Sequence, residues 1–237
     1  MASHGKQRHL KRLASPTAMG LSKKLHLWVK KPSAGAHPKN QCISISTLLT
    51  ELLHLAPSAR DAKKLLHSKD VLIDGKTVRS LSFPVGLMDV ISVPRLGKNY
   101  RLICLKGILK PIEVTESQAK SKLCKIVNKT VVKQGKIQLN LHDGRTTIIE
   151  KEEDRFKPGD TVKMSVPKQA VESFLKLEKG ALCYVYKGKH SGKIAVLSKI
   201  VEREGSKASD AMLSSEGKDL ITLKDYLFVV DKEFKVQ

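Results

Sequence analysis

Apolar positions along the chain change period several times, and each change marks a new element. Ile45, Leu48, Leu49, Leu52 and Leu53 recur at i, i+3, i+4, i+7 and i+8, the spacing of one buried helix face, with Ser46 or Thr47 available to cap it. Pro57 ends that segment, and the Ser58-x-x-Asp61 spacing of a capping box starts a second helix at Ser58. In that helix Ala59, Ala62, Leu65 and Leu66 can pack, while Arg60, Lys63, Lys64 and His67 share the opposite stripe. The period then shortens. Val71-Leu72-Ile73 and Lys76-Thr77-Val78 flank Asp74-Gly75, a favoured pair for a type I′ hairpin turn. Another short strand, 89–93, follows the Phe83-Pro84-Val85-Gly86 turn and stops at Pro94.

Downstream, brief strands alternate with turn residues. Segments 100–105 and 111–114 flank a Lys106-Gly107 break, and Thr115-x-x-Gln118 opens a short helix through Leu123. Strand character returns at 125–132, and 138–141 leads into an Asp143-Gly144 hairpin turn before 145–149. Pro158-Gly159-Asp160 turns into the alternating strand 161–166. Such a density of short strands predicts a small barrel or sandwich. A third unit begins near Leu177, with strand 180–186, a Gly-rich basic loop 187–193, strand 194–197, and 221–230 completing a barrel. Gly188 and Gly192 permit positive φ, so this loop can fold tightly and turn backbone amides towards a phosphate.

Charge decides what kind of partner to expect. The 237 residues hold 44 Lys and Arg against 23 Asp and Glu, a formal charge of +21. A polyanion relieves that self-repulsion, and nucleic acid does so with a gain from counterion release. An anionic membrane is the competing partner, but no long apolar run or lipidation signal supports it. Residues 1–40 contain no acid and nine Lys or Arg, interrupted by Gly5, Pro16, Gly20, Pro32, Gly35 and Pro38. This arm is expected to order against a polyanion rather than alone, although Leu10, Leu13, Met19, Leu25, Leu27 and Trp28 offer it anchors onto the next domain.

Catalytic and metal chemistry find little support in the sequence. Cys42, Cys104, Cys124 and Cys183 are far apart without a C-x-x-C pair, as buried apolar residues would be, and no secretory signal precedes the fold, so a cytoplasmic setting is expected. The Asp143-Gly144 pair is explained as a turn, and Glu150, Glu152, Glu153 and Asp154, mixed with Lys151 and Arg155, as a solvated loop. No His-rich metal spacing, Walker A run or dinucleotide fingerprint is present, so no enzyme activity, cofactor, metal or small-molecule substrate is expected.

Three resemblances sharpen this picture. Residues 45–93 resemble the S4-type RNA-binding module, through the S-x-R-D-A-x-x-L-L run 58–66, the Val71-Leu72-Ile73-Asp74-Gly75-Lys76 run and strand 89–93. The resemblance implies RNA contacts at Arg60, Lys63, Lys64, His67, Lys69, Lys76 and Arg79. The strand-loop-strand at 180–197 resembles the KOW motif of SH3-like barrels, which implies contacts at Lys187, Lys189, His190 and Lys193. The order of parts resembles the S4e family of small-subunit ribosomal proteins of archaea and eukaryotes. Its matching runs include Gly5-Lys6-x-x-His9-Leu10-Lys11-Arg12-Leu13, Tyr100-Arg101-Leu102-Ile103 and His142-Asp143-x-Arg145-Thr146. The arm then adds Lys6, Arg8, His9, Lys11 and Arg12 as RNA-contact candidates. Ending at Gln237, without the longer tail of eukaryotic members, favours an archaeal source.

The expected architecture is a multidomain α+β chain. It has a basic arm (1–40), an S4-like module of two helices and a hairpin sheet (41–94), a strand-rich central domain (95–170) and a KOW SH3-like barrel (171–237). The expected role is structural, binding small-subunit rRNA beside neighbouring ribosomal proteins. Two rivals are an RNA-modifying enzyme that uses the module for delivery and a KOW-containing transcription or translation factor. The second rival predicts an exposed apolar patch on the barrel.

Overall fold

The computed structural model describes residues 9–151, 154–203, 208–215, 218–231 and 234. In the arm, β1 (Leu10–Lys11) pairs antiparallel with β2 (Trp28–Val29). Leu10, Met19 and Val29 are buried in the main core, so the described part of the arm packs onto the domains that follow it. Leu13, Leu25, Leu27 and Trp28, the other anchors expected of it, remain exposed. Arg12 adds a polar tether. Its guanidinium is 2% exposed, donates to both Glu51 carboxylate oxygens at 2.9 and 2.6 Å and reaches the Ser22 carbonyl at 3.0 Å.

β3 (Cys42–Ser44) leads into α1 (Ile45–Thr47), which continues as a π-wound turn over Leu48–Leu52, where the Leu53 N–H donates to the Leu48 carbonyl at 2.9 Å. The cap is Ser44, whose hydroxyl accepts the Thr47 N–H at 3.4 Å. Ser46 and Thr47, expected as caps, lie inside the first turn because the buried Ile45 is already helical. α2 (Ala59–His67) starts at Ser58 as the capping box predicts. β4 (Leu72–Ile73), β5 (Lys76–Thr77), β6 (Pro84–Gly86) and β7 (Val90–Val93) follow, and β6 pairs with β3.

β8 (Lys98–Leu105) and β9 (Ile108–Val114) then extend the module's sheet, in the order β5-β4-β7-β8-β9. The boundary expected after residue 94 therefore lies inside a sheet. Pro94 marks only the tight connection between β7 and β8, closed by Gly97 at φ 63°. A proline signals a turn, but nothing local shows whether the next strand folds back.

After α3 (Glu116–Ala119), shorter than expected, β10 (Ser121–Val131), β11 (Ile137–Leu141), β12 (Thr146–Ile149), β13 (Thr161–Ser165) and β14 (Val171–Leu175) form a second antiparallel sheet ordered β12-β11-β10-β13-β14. Its core contains Cys124, Ile126, Leu139 and Val162. The third sheet comprises β15 (Leu182–Val185), β16 (Ile194–Val201), β17 (Asp210–Ser215), β18 (Lys218–Leu223) and β19 (Leu227–Val229), ordered β18-β17-β16-β15-β19. Its edge strands are consecutive in sequence, joined by one turn at Lys224–Tyr226, around a core of Cys183, Ala195, Leu197, Ala211 and Leu213. Tyr184 and Phe228 instead enter the main core, and the Tyr184 hydroxyl bonds both the amide and the carbonyl of Cys104. No helix among the described residues is long and apolar enough to cross a membrane.

Candidate nucleic-acid interface

The basic helix rests on its cap. The Ser58 hydroxyl accepts the Asp61 N–H at 3.3 Å and donates to the Asp61 carboxylate at 2.6 Å. That bond, helped by Lys64, holds the Asp61 carboxyl below its ordinary range. Ala62 and Leu66 are fully buried and Leu65 partly so, whereas Ala59, expected to pack, is exposed. The opposite stripe of Arg60, Lys63, Lys64 and His67 is exposed in full. Among these only Lys64 is in an ion pair within the described residues, with Asp61 at 3.3 Å. Lys69 follows at φ 62°, a left-handed residue closing the helix, with the Asp70 N–H returning to the Leu65 carbonyl at 3.2 Å.

Lys76 and Arg79 stand exposed on and beyond the neighbouring hairpin. Its turn is type I′, with Asp74 at φ 47° and Gly75 at φ 69°. A Cβ at Gly75 would lie 2.9 Å from the Pro167 side chain, so the turn sits tightly against the central sheet's loop.

In the arm, Lys11 and His9 are exposed, and the His9 ring lies 5.5 Å from that of Trp28. Arg12 is withdrawn from the set of surface contacts, because its ion pair with Glu51 turns it into the fold. Lys6 and Arg8 lie outside the described residues. In the loop between β15 and β16, Lys189 and Lys193 are exposed, while Lys187 and His190 are half-buried. The expectation that backbone amides of this loop face a phosphate is narrowed to its first half, residues 187–190. The Ser191, Gly192 and Lys193 N–H groups donate to the Gly188, Val185 and His190 carbonyls at 3.1, 2.8 and 3.2 Å, so the tight turns that the glycines allow consume these donors. Lys187 leans over the Tyr186 and Tyr226 rings at 5.4 and 6.0 Å.

Behind the hairpin lies a charge cluster that local sequence did not reveal. Lys122, 1% exposed, meets Asp74 at 2.8 Å, Asp89 at 2.5 Å and Asp143 at 3.0 Å. Arg145 reaches Asp74 at 2.5 Å and Asp143 at 3.3 Å, and His37 of the arm bonds Asp89 at 2.9 Å. Gly86 is needed here, since a Cβ would lie 2.4 Å from the His37 ring. Burial alone would raise the Asp89 carboxyl, but Lys122 and His37 outweigh it and hold the group far below its usual range. Burial likewise opposes the charge on Lys122, and the three carboxylates still raise its pKa well above normal. Asp143, read from sequence as a turn residue, is thus also one wall of this cluster. The Asp143-Gly144 turn is not type I′, since only Gly144 takes a positive φ, 73°.

Cys124, His142 and Asp143 bring their ligand atoms within 4.8 Å of one another. Each is already engaged. His142 accepts the Lys125 N–H at 3.2 Å through Nδ1 and lies 3.2 Å from the Leu87 carbonyl through Nε2, Asp143 faces Lys122, and burial pushes the Cys124 thiol well up. The trio is better described as hydrogen-bonded packing than as a cation site. All four cysteines are free and buried. Of the acidic run 150–154, Asp154 pairs with Lys129 at 2.5 Å, and Glu152 and Glu153 lie outside the described residues.

Three family models match: the Ribosomal family S4e over residues 96–171, the RS4NT (NUC023) domain over 4–40 and the S4 domain over 48–91. The small ribosomal subunit protein eS4 of Methanocaldococcus jannaschii is 42% identical over 241 residues, covering 98% of this chain and 98% of that protein. Its counterpart in Methanothermobacter thermautotrophicus is 40% identical over 240 residues, covering 100% and 97%. The crystal structure of the 30S ribosomal protein S4e from Thermoplasma acidophilum superposes with a TM-score of 0.71 at 31% identity, covering 84% of this chain and 100% of that one. On these matches, and on a fold that joins the S4 module to the central sheet through one ion cluster, the chain belongs to the S4e family of ribosomal proteins.

Proposed function

We propose that this chain is a non-catalytic structural constituent of the small ribosomal subunit, holding folded rRNA chiefly with α2 and the adjoining hairpin. The observation that carries the reading is how the cations are sorted. Arg12, Arg101, Lys122 and Lys125 are buried and bonded within the fold. Arg60, Lys63, His67, Lys69, Lys76 and Arg79 are exposed and form no ion pair among the described residues. Cations left exposed beside an ordered helix and hairpin suit phosphate contacts that set register on a shaped RNA. Lys189 and Lys193, on a five-stranded sheet whose order suits a KOW-type SH3-like barrel, supply a second surface, and the exposed His9 and Lys11 of the arm a third.

Substituting Arg60, Lys63 and Lys64 together by glutamate should weaken binding to small-subunit rRNA at least about tenfold. It should also make the salt dependence shallower by about three phosphate equivalents. Unchanged affinity in a folded triple variant would move the interface elsewhere.

One observation favours a protein neighbour as well. Val196, Met212 and Ile221 are exposed on the outer face of β16–β18, with Met212 directly opposite Ile221. An apolar patch on this barrel was the mark of a protein-binding role, and it supports contact with a neighbouring ribosomal protein at that face.

A further inference from the structure

A cleft of about 240 Å³ opens where the arm, the segment before β3, the β8–β9 hairpin and the β15–β16 loop meet. Its chemistry is divided. Leu87 and Leu109 line its apolar side and are themselves 7% and 2% exposed. Asn40, exposed, and Gln41, half-buried, also line it, and neither side chain makes a hydrogen bond within the described residues. Tyr186 and Lys187 complete it, the ammonium 5.4 Å from the ring centre and in no ion pair among the described residues. No carboxylate lines the space.

We infer that this cleft takes one unstacked nucleobase of the bound RNA, its phosphate held by Lys187. The inference rests on the RNA-binding reading above. A flat heteroaromatic ring matches each part of the lining: its faces meet the leucines and tyrosine, its edge offers the donors and acceptors that two carboxamides need, and its phosphate meets the ammonium. Other occupants leave something unmatched. A bare anion would waste the apolar side, and an aliphatic protein side chain would offer no polar partner to the carboxamides or the ammonium. Position agrees with chemistry, because Lys187 begins the same loop on which Lys189 and Lys193 stand exposed.

The test uses the full chain bound to small-subunit rRNA transcribed from the same genome, with base reactivity to dimethyl sulfate and carbodiimide as the readout. Two variants are compared with the parent, each checked by thermal melting: Ala18→Phe, which fills the cleft from the arm side, and Asn40→Ala with Gln41→Ala, which removes the edge contacts. The parent chain should protect one nucleotide between reactive neighbours. Both variants should return that nucleotide to full reactivity, with overall affinity falling two- to tenfold. An identical footprint in the parent and the double variant overturns the inference, even if Ala18→Phe fails to fold. So does a photo-crosslinker at position 18 that, in complete subunits, joins protein instead of RNA. Loss of rRNA binding by the parent chain would instead sink the RNA-binding reading itself, so the two failures are distinguishable.

Discussion

A lysine enclosed by three carboxylates is stable only while all four charges are present, which makes Lys122 the most consequential single residue for stability. Lys122→Met keeps most of the volume and leaves Asp74 and Asp143 buried with only Arg145, and Asp89 with only His37, as a close partner of opposite character. The loss should be about 3–5 kcal/mol in urea unfolding, the cost of uncompensated buried charge. A smaller effect would mean that water reaches the cluster. His142, in the same region, sets an acid limit. Burial first, then the charge on Lys122, lowers its pKa from 6.5 to about 4. Between those values the unfolded chain carries the extra proton, so this contribution is complete above pH 6.5 and falls away as pH drops towards 4, by at most about 1.4 kcal/mol per pH unit. His142→Gln should flatten that stretch of the stability–pH curve. None of this was legible locally. Asp143-Gly144 reads as a turn whichever way its carboxylate points, and Lys122 reads as one more cation in a chain of charge +21.

Elements fixed by neighbours in sequence were far more legible. The Ser58–Asp61 cap, the polar stripe of α2 and the Asp74-Gly75 turn all depend on spacings of four residues or fewer in the chain, and they formed as that spacing predicts. The same reasoning misjudged the turn type of Asp143-Gly144, where tertiary partners choose among allowed turns. Lys69 shows an element that carries backbone strain. A left-handed residue closing a helix is usually glycine, and a side chain there costs about 1 kcal/mol or more. Lys69→Gly should therefore stabilise the chain by about 0.5–1 kcal/mol in thermal or urea unfolding. If the strained residue is kept for its charge, the same substitution should weaken rRNA binding and reduce the salt slope by about one. A gain in stability with unchanged RNA affinity would remove Lys69 from the interface.

On the scale of the whole molecule, parts that look separable in sequence are joined by contacts from distant segments. β7 pairs with β8 across the boundary expected at 94, His37 of the arm bonds Asp89, Lys122 of β10 bonds Asp74 and Asp89, and Tyr184 of the third sheet bonds Cys104. For these strands the main local signal was hydrophobic period, and period identifies strands without naming their partners. An excised segment 41–94 would lose β8 as the partner of β7, lose Met19 and Leu102 from its core and leave Asp74 and Asp89 without Lys122. Burial lost from so small a piece is not recoverable elsewhere. The fragment should accordingly give a collapsed amide spectrum at neutral pH. The full chain should melt in a single calorimetric transition whose van't Hoff and calorimetric enthalpies agree. Two resolved transitions, or a well-dispersed spectrum for the fragment, would show instead that the module folds alone and that the ion cluster only docks it. The RNA contacts proposed for α2 could then be measured on the isolated module. A single transition requires every binding variant of that helix to be tested in the intact protein.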